Sequence, residues 1–354
     1  MNAFTWVFLA ALAAATLTRL WLARRQMTYV RAHRDAVPPT FADAIPLGAH
    51  QKAADYTVAK ARLGTLDVLL GAAALLALTL GGLLQWMSAQ WAMLFAPGGL
   101  AHGVALVAGA VVLLSALELP LAVYRTFVIE ARFGFNRMSL GLFLADLAKH
   151  ALLGAVLGLP LLALVLWLMG RMGELWWLYV WLAWIGFNLM VLLLYPTFIA
   201  PLFNRFTRLE DPALAGRIER LLARCGFTSN GLFVMDGSRR SAHGNAYFTG
   251  FGAAKRIVFF DTLLARLAPA EVEAVLAHEL GHYRRHHVWK RIALLFALSL
   301  GLLWLLGQLL YEPWFYAGLG AGAPGDALGL LLFVLVMPAF TFFLQPLTSL
   351  VSRR

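Results

Sequence analysis

Apolar and polar positions alternate along this chain on two different scales. Seven predominantly apolar stretches, near residues 3–23, 66–88, 101–123, 151–170, 175–198, 289–311 and 327–348, each run for roughly 20 residues, the length a helix needs to cross a bilayer. The first lacks a basic start and a clear cleavage site, so it reads as an anchor and not as a removed leader. Trp176, Trp177, Tyr179, Trp181 and Trp184 crowd the start of the fifth stretch and predict an aromatic belt at one membrane interface. Asp67, Glu118, Asn188 and Gln308 fall within or beside the spans. Such groups face a bundle interior or a wet cavity; Glu118 reads either as a chamber-lining carboxylate or as a partnered structural one beside Pro120.

Between the fifth and sixth stretches the pattern changes. From Asp211 to Gly226, Leu214, Ile218, Leu221 and Leu222 recur at helical spacing among Arg217, Arg220 and Arg224. Asp211 suits the N-cap, with Pro212 at the first helical position. Short apolar runs at 231–236 and 256–260, bounded by turn residues and charge, predict strands, and Asn245 to Phe248 is a candidate edge strand. Pro269 then opens a helix with acidic residues in its first turn and apolar residues at helical spacing.

Composition agrees with the periodicity. Residues are 61% hydrophobic and 13% charged, against about 45–50% and 25% in soluble domains. The net charge of +11 could suggest a nucleic-acid partner, but its placement points elsewhere. Lys and Arg number seven in residues 24–65, four in 124–150 and twelve in 199–288; they number one in 171–174 and none in 89–100 or 312–326. This alternation is the positive-inside signal. It predicts an external amino terminus, a cytosolic 199–288 segment and no nucleic-acid role. The single cysteine, Cys225, permits no intrachain disulfide and is expected to be a packing residue.

The predicted helix after Pro269 carries His278-Glu279-Leu280-Gly281-His282, an H-E-x-x-H pattern. Positions four apart share a helical face, so His278 and His282 can reach one metal ion. Glu279 beside them can take a proton from water at that metal. These residue types in this spacing point to a zinc hydrolase.

Several further segments carry a resemblance. Glu130 to Asn136, Ala200 to Phe206, Ser241 to Gly250, Lys255 to Leu264 and the H-E-x-x-H helix, in this order along the chain, are similar to motifs of the type I CAAX prenyl endopeptidase family. The resemblance implies an all-α polytopic membrane protein of about seven transmembrane helices, with a small α+β cytosolic zinc-metalloprotease segment between spans five and six. It divides the chain into a five-span membrane domain at 1–198, the protease segment at 199–288 and two final spans at 289–354. It implies Zn2+ held by His278 and His282, Glu279 as general base, and Asn245, Ala246 and Tyr247 along the substrate backbone. His243 and His287 also fall in motif segments, and His286 and His287 read equally as cytosolic interface residues. Peptide or membrane-protein substrates, lipidated or not, are the implied partners alongside membrane lipids. The Arg-, Ala- and Leu-rich usage looks bacterial; inner-membrane protein quality control is then the expected role, with the active site on the cytosolic side.

A catalytic zinc takes three protein ligands. In the resembled family the third is a Glu in a Ser-Arg-x-x-Glu pattern, of which Ser352-Arg353 matches the start, so that Glu would fall about two residues beyond Arg354. The expectation is a chain shortened at its carboxyl end, with weak zinc binding and little activity as it stands. The alternative function is a non-catalytic relative that binds peptides or lipidated tails without cutting them. Glu312 and Asp326 fall on the wrong side by the charge count, and Glu271 and Glu273 lie too far toward the helix start. Asp236 and Asp261 are the remaining, weaker substitutes.

Overall fold

The structure is a computed structural model that describes residues 1–227, 229–249, 256–284, 287–346 and 349–350; the side chains at 249, 279, 282–284, 287 and 288 lie outside that description. Among the described residues, seven helical segments are long and apolar enough to span a bilayer: Ala3–Ala32, Leu47–Leu78, Leu100–Glu130, Leu140–Arg171, Gly173–Phe203, Trp289–Leu309 and Asp326–Leu344. This is the expected polytopic architecture. The second span differs from its predicted place at 66–88. Its helix begins at Leu47, because helical structure continues well past the hydrocarbon, and ends at Leu78. Gly81 and Gly82 follow, and Gly82 holds a positive φ of 74° that favours glycine. The apolar pattern runs through this break, since hydropathy does not register backbone direction.

The chain forms two compact units, one of residues 1–133, 159–180 and 301–354, the other of residues 134–158 and 181–300. In the first, α1 (Ala3–Ala32) packs along α2 (Leu47–Leu78), and α3 (Leu83–Trp91) against α4 (Leu100–Tyr124). Residues 159–180 bring the end of the long α5 (Leu140–Arg171) and the start of α6 (Trp176–Leu194) into this unit, and later in the chain come α12 (Pro313–Gly318) and α13 (Asp326–Thr341). The last packs on α1 and α4. Trp176, Phe315, Tyr316, Leu106 and Leu332 are buried in this unit. Trp176 is therefore core and not part of an aromatic belt, because it lies at the buried start of α6; Tyr179 and Trp184 remain exposed. Asp67, Glu118 and Arg19 line a cavity of about 400 Å³ among α1, α2, α4 and α13. Glu118 has no hydrogen-bond or ion-pair partner among the described residues, which favours the chamber-lining reading.

The second unit holds the sheet. After α7 (Ala200–Phe203) come β1 (Phe206–Arg208), α8 (Pro212–Arg224), β2 (Leu232–Met235), β3 (Ala246–Thr249), β4 (Arg256–Phe260), α9 (Asp261–Leu264), α10 (Pro269–Arg284) and α11 (His287–Leu309). Strand order is β1-β2-β4-β3, with β2 and β4 parallel and the outer strands antiparallel to their neighbours. Alternation along the strands sends Leu232, Ile257, Phe259 and Ala246 to one face. That face is covered by Leu214, Ile218 and Leu222 of α8 and by Val272, Leu276 and Leu280 of α10. Both triplets are i, i+4, i+8 stripes, so each helix presents one apolar edge. Asp211 caps α8 by accepting from the N–H groups of Ala213 (2.9 Å) and Leu214 (3.1 Å). Cys225 is exposed, not packed, because it lies at the C-cap of α8 off the apolar stripe. Leu276 is fully buried. Leu276→Ala is expected to cost about 2–5 kcal/mol, from lost transfer energy plus a residual cavity, and to lower the thermal midpoint of the purified protein.

Candidate functional site

Helix α10 carries the H-E-x-x-H residues, and its packing decides which way they face. Val272, Leu276 and Leu280 bind it to α8 and β3. Position 278 lies two residues from Leu276, roughly 200° around the helix, and position 282 is one further turn on. The 278/282 face is thus turned away from the core, and His278 is exposed. Gly281 belongs to the same face, where a Cβ would meet nothing within 4 Å among the described residues. The side chains of Glu279 and His282 lie outside the described structure, while their backbone continues the helix.

The helix is held in place at its start. Glu271 accepts from the Ala268 N–H at 2.8 Å, closing the first turn. Glu273 pairs with Arg217 of α8 at 2.9 Å, a half-exposed pair worth little energetically but one that joins the two helices.

Strand β3 ends the sheet beside α10. The Phe260 N–H donates to the Asn245 carbonyl at 2.9 Å, so in this antiparallel ladder the 245/260 and 247/258 pairs are the hydrogen-bonded ones. The backbone groups of Ala246 and Phe248 therefore point to the free edge. Asn245 is exposed, and its side-chain oxygen accepts from the Ala246 N–H at 2.9 Å. Ala246 turns its side chain into the core. Tyr247 turns the other way, lining a cavity of about 160 Å³ on the opposite sheet face with Tyr195, Phe233 and Arg256. Burial, with a smaller effect from Tyr195, pushes its phenol up to about 12, so it stays a neutral donor, directed at the Met235 sulfur at 3.9 Å. Of the three residues expected along the substrate backbone, Ala246 has its backbone groups at the free edge, Asn245 reaches it through its side chain, and the backbone of Tyr247 pairs with β4.

Sequence reasoning did not find Arg240 and Asp146. Arg240 grips Asp146 of α5 with two bonds, 2.7 and 2.9 Å, and donates to the Asn204 side chain at 2.9 Å. Its own backbone accepts from Arg137 N–H at 3.1 Å, while Ala242 N–H donates to Phe135 at 2.9 Å. A bridge joins Asn136 to Ser241, and the Phe135 ring stacks on His243 at 4.3 Å. Three motif segments distant in sequence, around 135, 204 and 241, thus meet at the loop that leads into β3. Asp146, the one acidic residue of α5, was the available signal.

Asp236 and Asp261 have structural partners. Asp236 accepts from the Arg205 N–H at 2.7 Å. Asp261 accepts from the N–H groups of Ser238 and Thr262 and from the Ser238 hydroxyl. Among the described residues no three His, Cys, Asp or Glu side chains come together as a metal site. Two imidazole positions on one face of a continuous helix, with His278 exposed, fit a zinc ion, which takes His nitrogens readily. His286 and residues 351–354 lie outside the described residues.

Comparison with known proteins gives the same picture from a different direction. Residues 26–205 match the family model described as CAAX prenyl protease N-terminal, five membrane helices, and residues 208–354 match Peptidase family M48. The chain is 41% identical over 187 residues to a CAAX prenyl protease 1 homolog of Oryza sativa subsp. japonica, covering 52% of this chain and 44% of that protein. It is 42% identical over 175 residues to CAAX prenyl protease 1 of Saccharomyces cerevisiae, covering 49% and 38%. The matches therefore span less than half the length of these curated relatives. The crystal structure of S. mikatae Ste24p superposes with a TM-score of 0.85 at 27% identity, covering 98% of this chain and 83% of that one.

Proposed function

The chain belongs to the CAAX prenyl protease family of M48 peptidases, and on that premise we propose that it is an integral-membrane zinc endopeptidase. The observation that carries this reading is α10: its apolar edge is fastened to the sheet, positions 278 and 282 are turned away from that core, and the edge strand β3 runs beside it.

His278 and His282 would hold the zinc. Bound there, zinc supplies a Lewis acid that polarises a peptide carbonyl and makes water nucleophilic near neutral pH. Glu279 would accept the proton of the attacking water and return it to the leaving amine. An extended peptide would add to β3 through the Ala246 and Phe248 backbone groups. Asn245 would release the Ala246 N–H to the substrate and offer its own amide in exchange. Backbone pairing of this kind reads shape more than sequence, which suits peptides and membrane proteins, lipidated or not, as substrates. The charge count assigns the site to the cytosolic side. Asp236 and Asp261 already hold partners of their own, which argues against either as the third ligand.

Zinc analysis of the detergent-purified protein tests this, done on the 354-residue chain and on a form continued through the Ser-Arg-x-x-Glu pattern. One tight zinc per chain is expected in the continued form, with His278→Ala removing it. Absence of zinc from both forms would overturn the metal assignment.

A further inference from the structure

A second cavity, of about 580 Å³, lies where three spans of the first unit end: α4 begins at Leu100, α5 ends at Arg171 and α13 begins at Asp326. The ends of spanning helices mark the depth of lipid headgroups, so this cavity sits at that level. Leu106 and Leu166 make its hydrocarbon side apolar. The volume is within the range of about 300–1,000 Å³ usual for small-ligand sites.

Its polar groups are unsatisfied in a specific way. His102 is 8% exposed and donates its Nε2–H to the Ser88 carbonyl at 2.9 Å. A carbonyl only accepts, so Nε2 carries the proton and Nδ1 remains an acceptor; it has no donor among the described residues. Asp326 is half-buried, and among the described residues it has neither a cation nor a hydrogen-bond donor. Arg171 has no carboxylate partner there either. The amino terminus of α4 also opens here, with Gly99 as an N-cap that offers no side chain. Its first-turn N–H groups are left uncapped and favour an anion.

The cavity therefore joins two acceptors, Asp326 and His102 Nδ1, to two anion-binding features, Arg171 and the α4 terminus. We propose that it binds the zwitterionic headgroup of a phosphatidylethanolamine-type lipid, with the ammonium on Asp326 and His102 and the phosphate on Arg171 and the α4 terminus. The acyl chains leave past Trp167, which lines the cavity and is exposed. A phosphatidylcholine nitrogen has no N–H to donate to either acceptor, and phosphatidylglycerol has no cation for Asp326. The site rests on no part of the peptidase reading.

Native mass spectrometry of the intact chain with lipids of matched acyl composition tests this. Phosphatidylethanolamine is expected to bind about tenfold more tightly than phosphatidylcholine, the scale of one charge-assisted hydrogen bond. Asp326→Asn should abolish that preference, and Arg171→Gln should weaken phosphatidylethanolamine and phosphatidylglycerol together. Equal retention of phosphatidylethanolamine and phosphatidylcholine by the unaltered chain overturns the proposal, and so does an unchanged preference in Asp326→Asn. The headgroup comparison needs no variant, so a variant that fails to fold leaves it decisive. If soluble phosphoethanolamine raises the thermal midpoint as much as the lipid does, the ligand is a free zwitterion and the lipid assignment fails.

Discussion

Glu279→Gln should lower peptide hydrolysis by about 10²–10⁴-fold, the contribution of a positioned general base, while leaving zinc content unchanged. Gln is close to Glu in shape and keeps one carbonyl oxygen, but it cannot accept a proton from water at neutral pH. The two histidines four residues apart do not depend on it for helix formation, since α10 is fastened through Val272, Leu276 and Leu280 on its other side. Zinc stoichiometry and cleavage rate therefore separate in this variant, whereas His278→Ala should lose both. The assay is a fluorogenic peptide with the protein in detergent, and zinc measured on the same preparation. Cleavage retained in Glu279→Gln would refute its role as base.

The other large effect is expected from Arg240→Ala. The Arg240 and Asp146 side chains are 18% and 9% exposed. Removing the guanidinium strands a buried carboxylate, which costs about 3–5 kcal/mol. Asp146 stands on α5, whose 32 residues extend roughly 48 Å, well past a hydrocarbon core of about 30 Å. The helix thereby carries an acidic group up to the loop that enters β3. Loss of the bond should lower the thermal midpoint of the purified protein and reduce cleavage while zinc stays bound, because the metal helix is held by its own core contacts. Arg240→Lys keeps the charge but not the two-pronged geometry or the donor to Asn204, so it should recover the stability only in part. A thermal midpoint unchanged in Arg240→Ala would show that the node does not hold the loop.

Long apolar runs and helical stripes were legible because each reports on a local solvent boundary. The α8 cap at Asp211, the 214/218/222 stripe and the strand at 256–260 all follow from neighbours within a few residues. The exceptions are equally physical. The break at Gly82 is a backbone turn that hydropathy does not carry, and Trp176 and Cys225 exchange their expected environments because burial depends on what packs against a position. Tyr247 lies in a motif, yet strand alternation turns its side chain to the opposite face from Ala246.

The sequence by itself determined the number of spans, the helical phase of His278 and His282, and the residue types available for chemistry, since periodicity and spacing are properties of a short stretch of chain. Only the tertiary structure decided which edge of α10 is packed on the core, that β3 is the strand at the sheet's edge, and that the segments around 135, 204 and 241 meet through Arg240. Those depend on pairings between residues tens to more than a hundred positions apart, whose energy exists only once the chain has closed on itself.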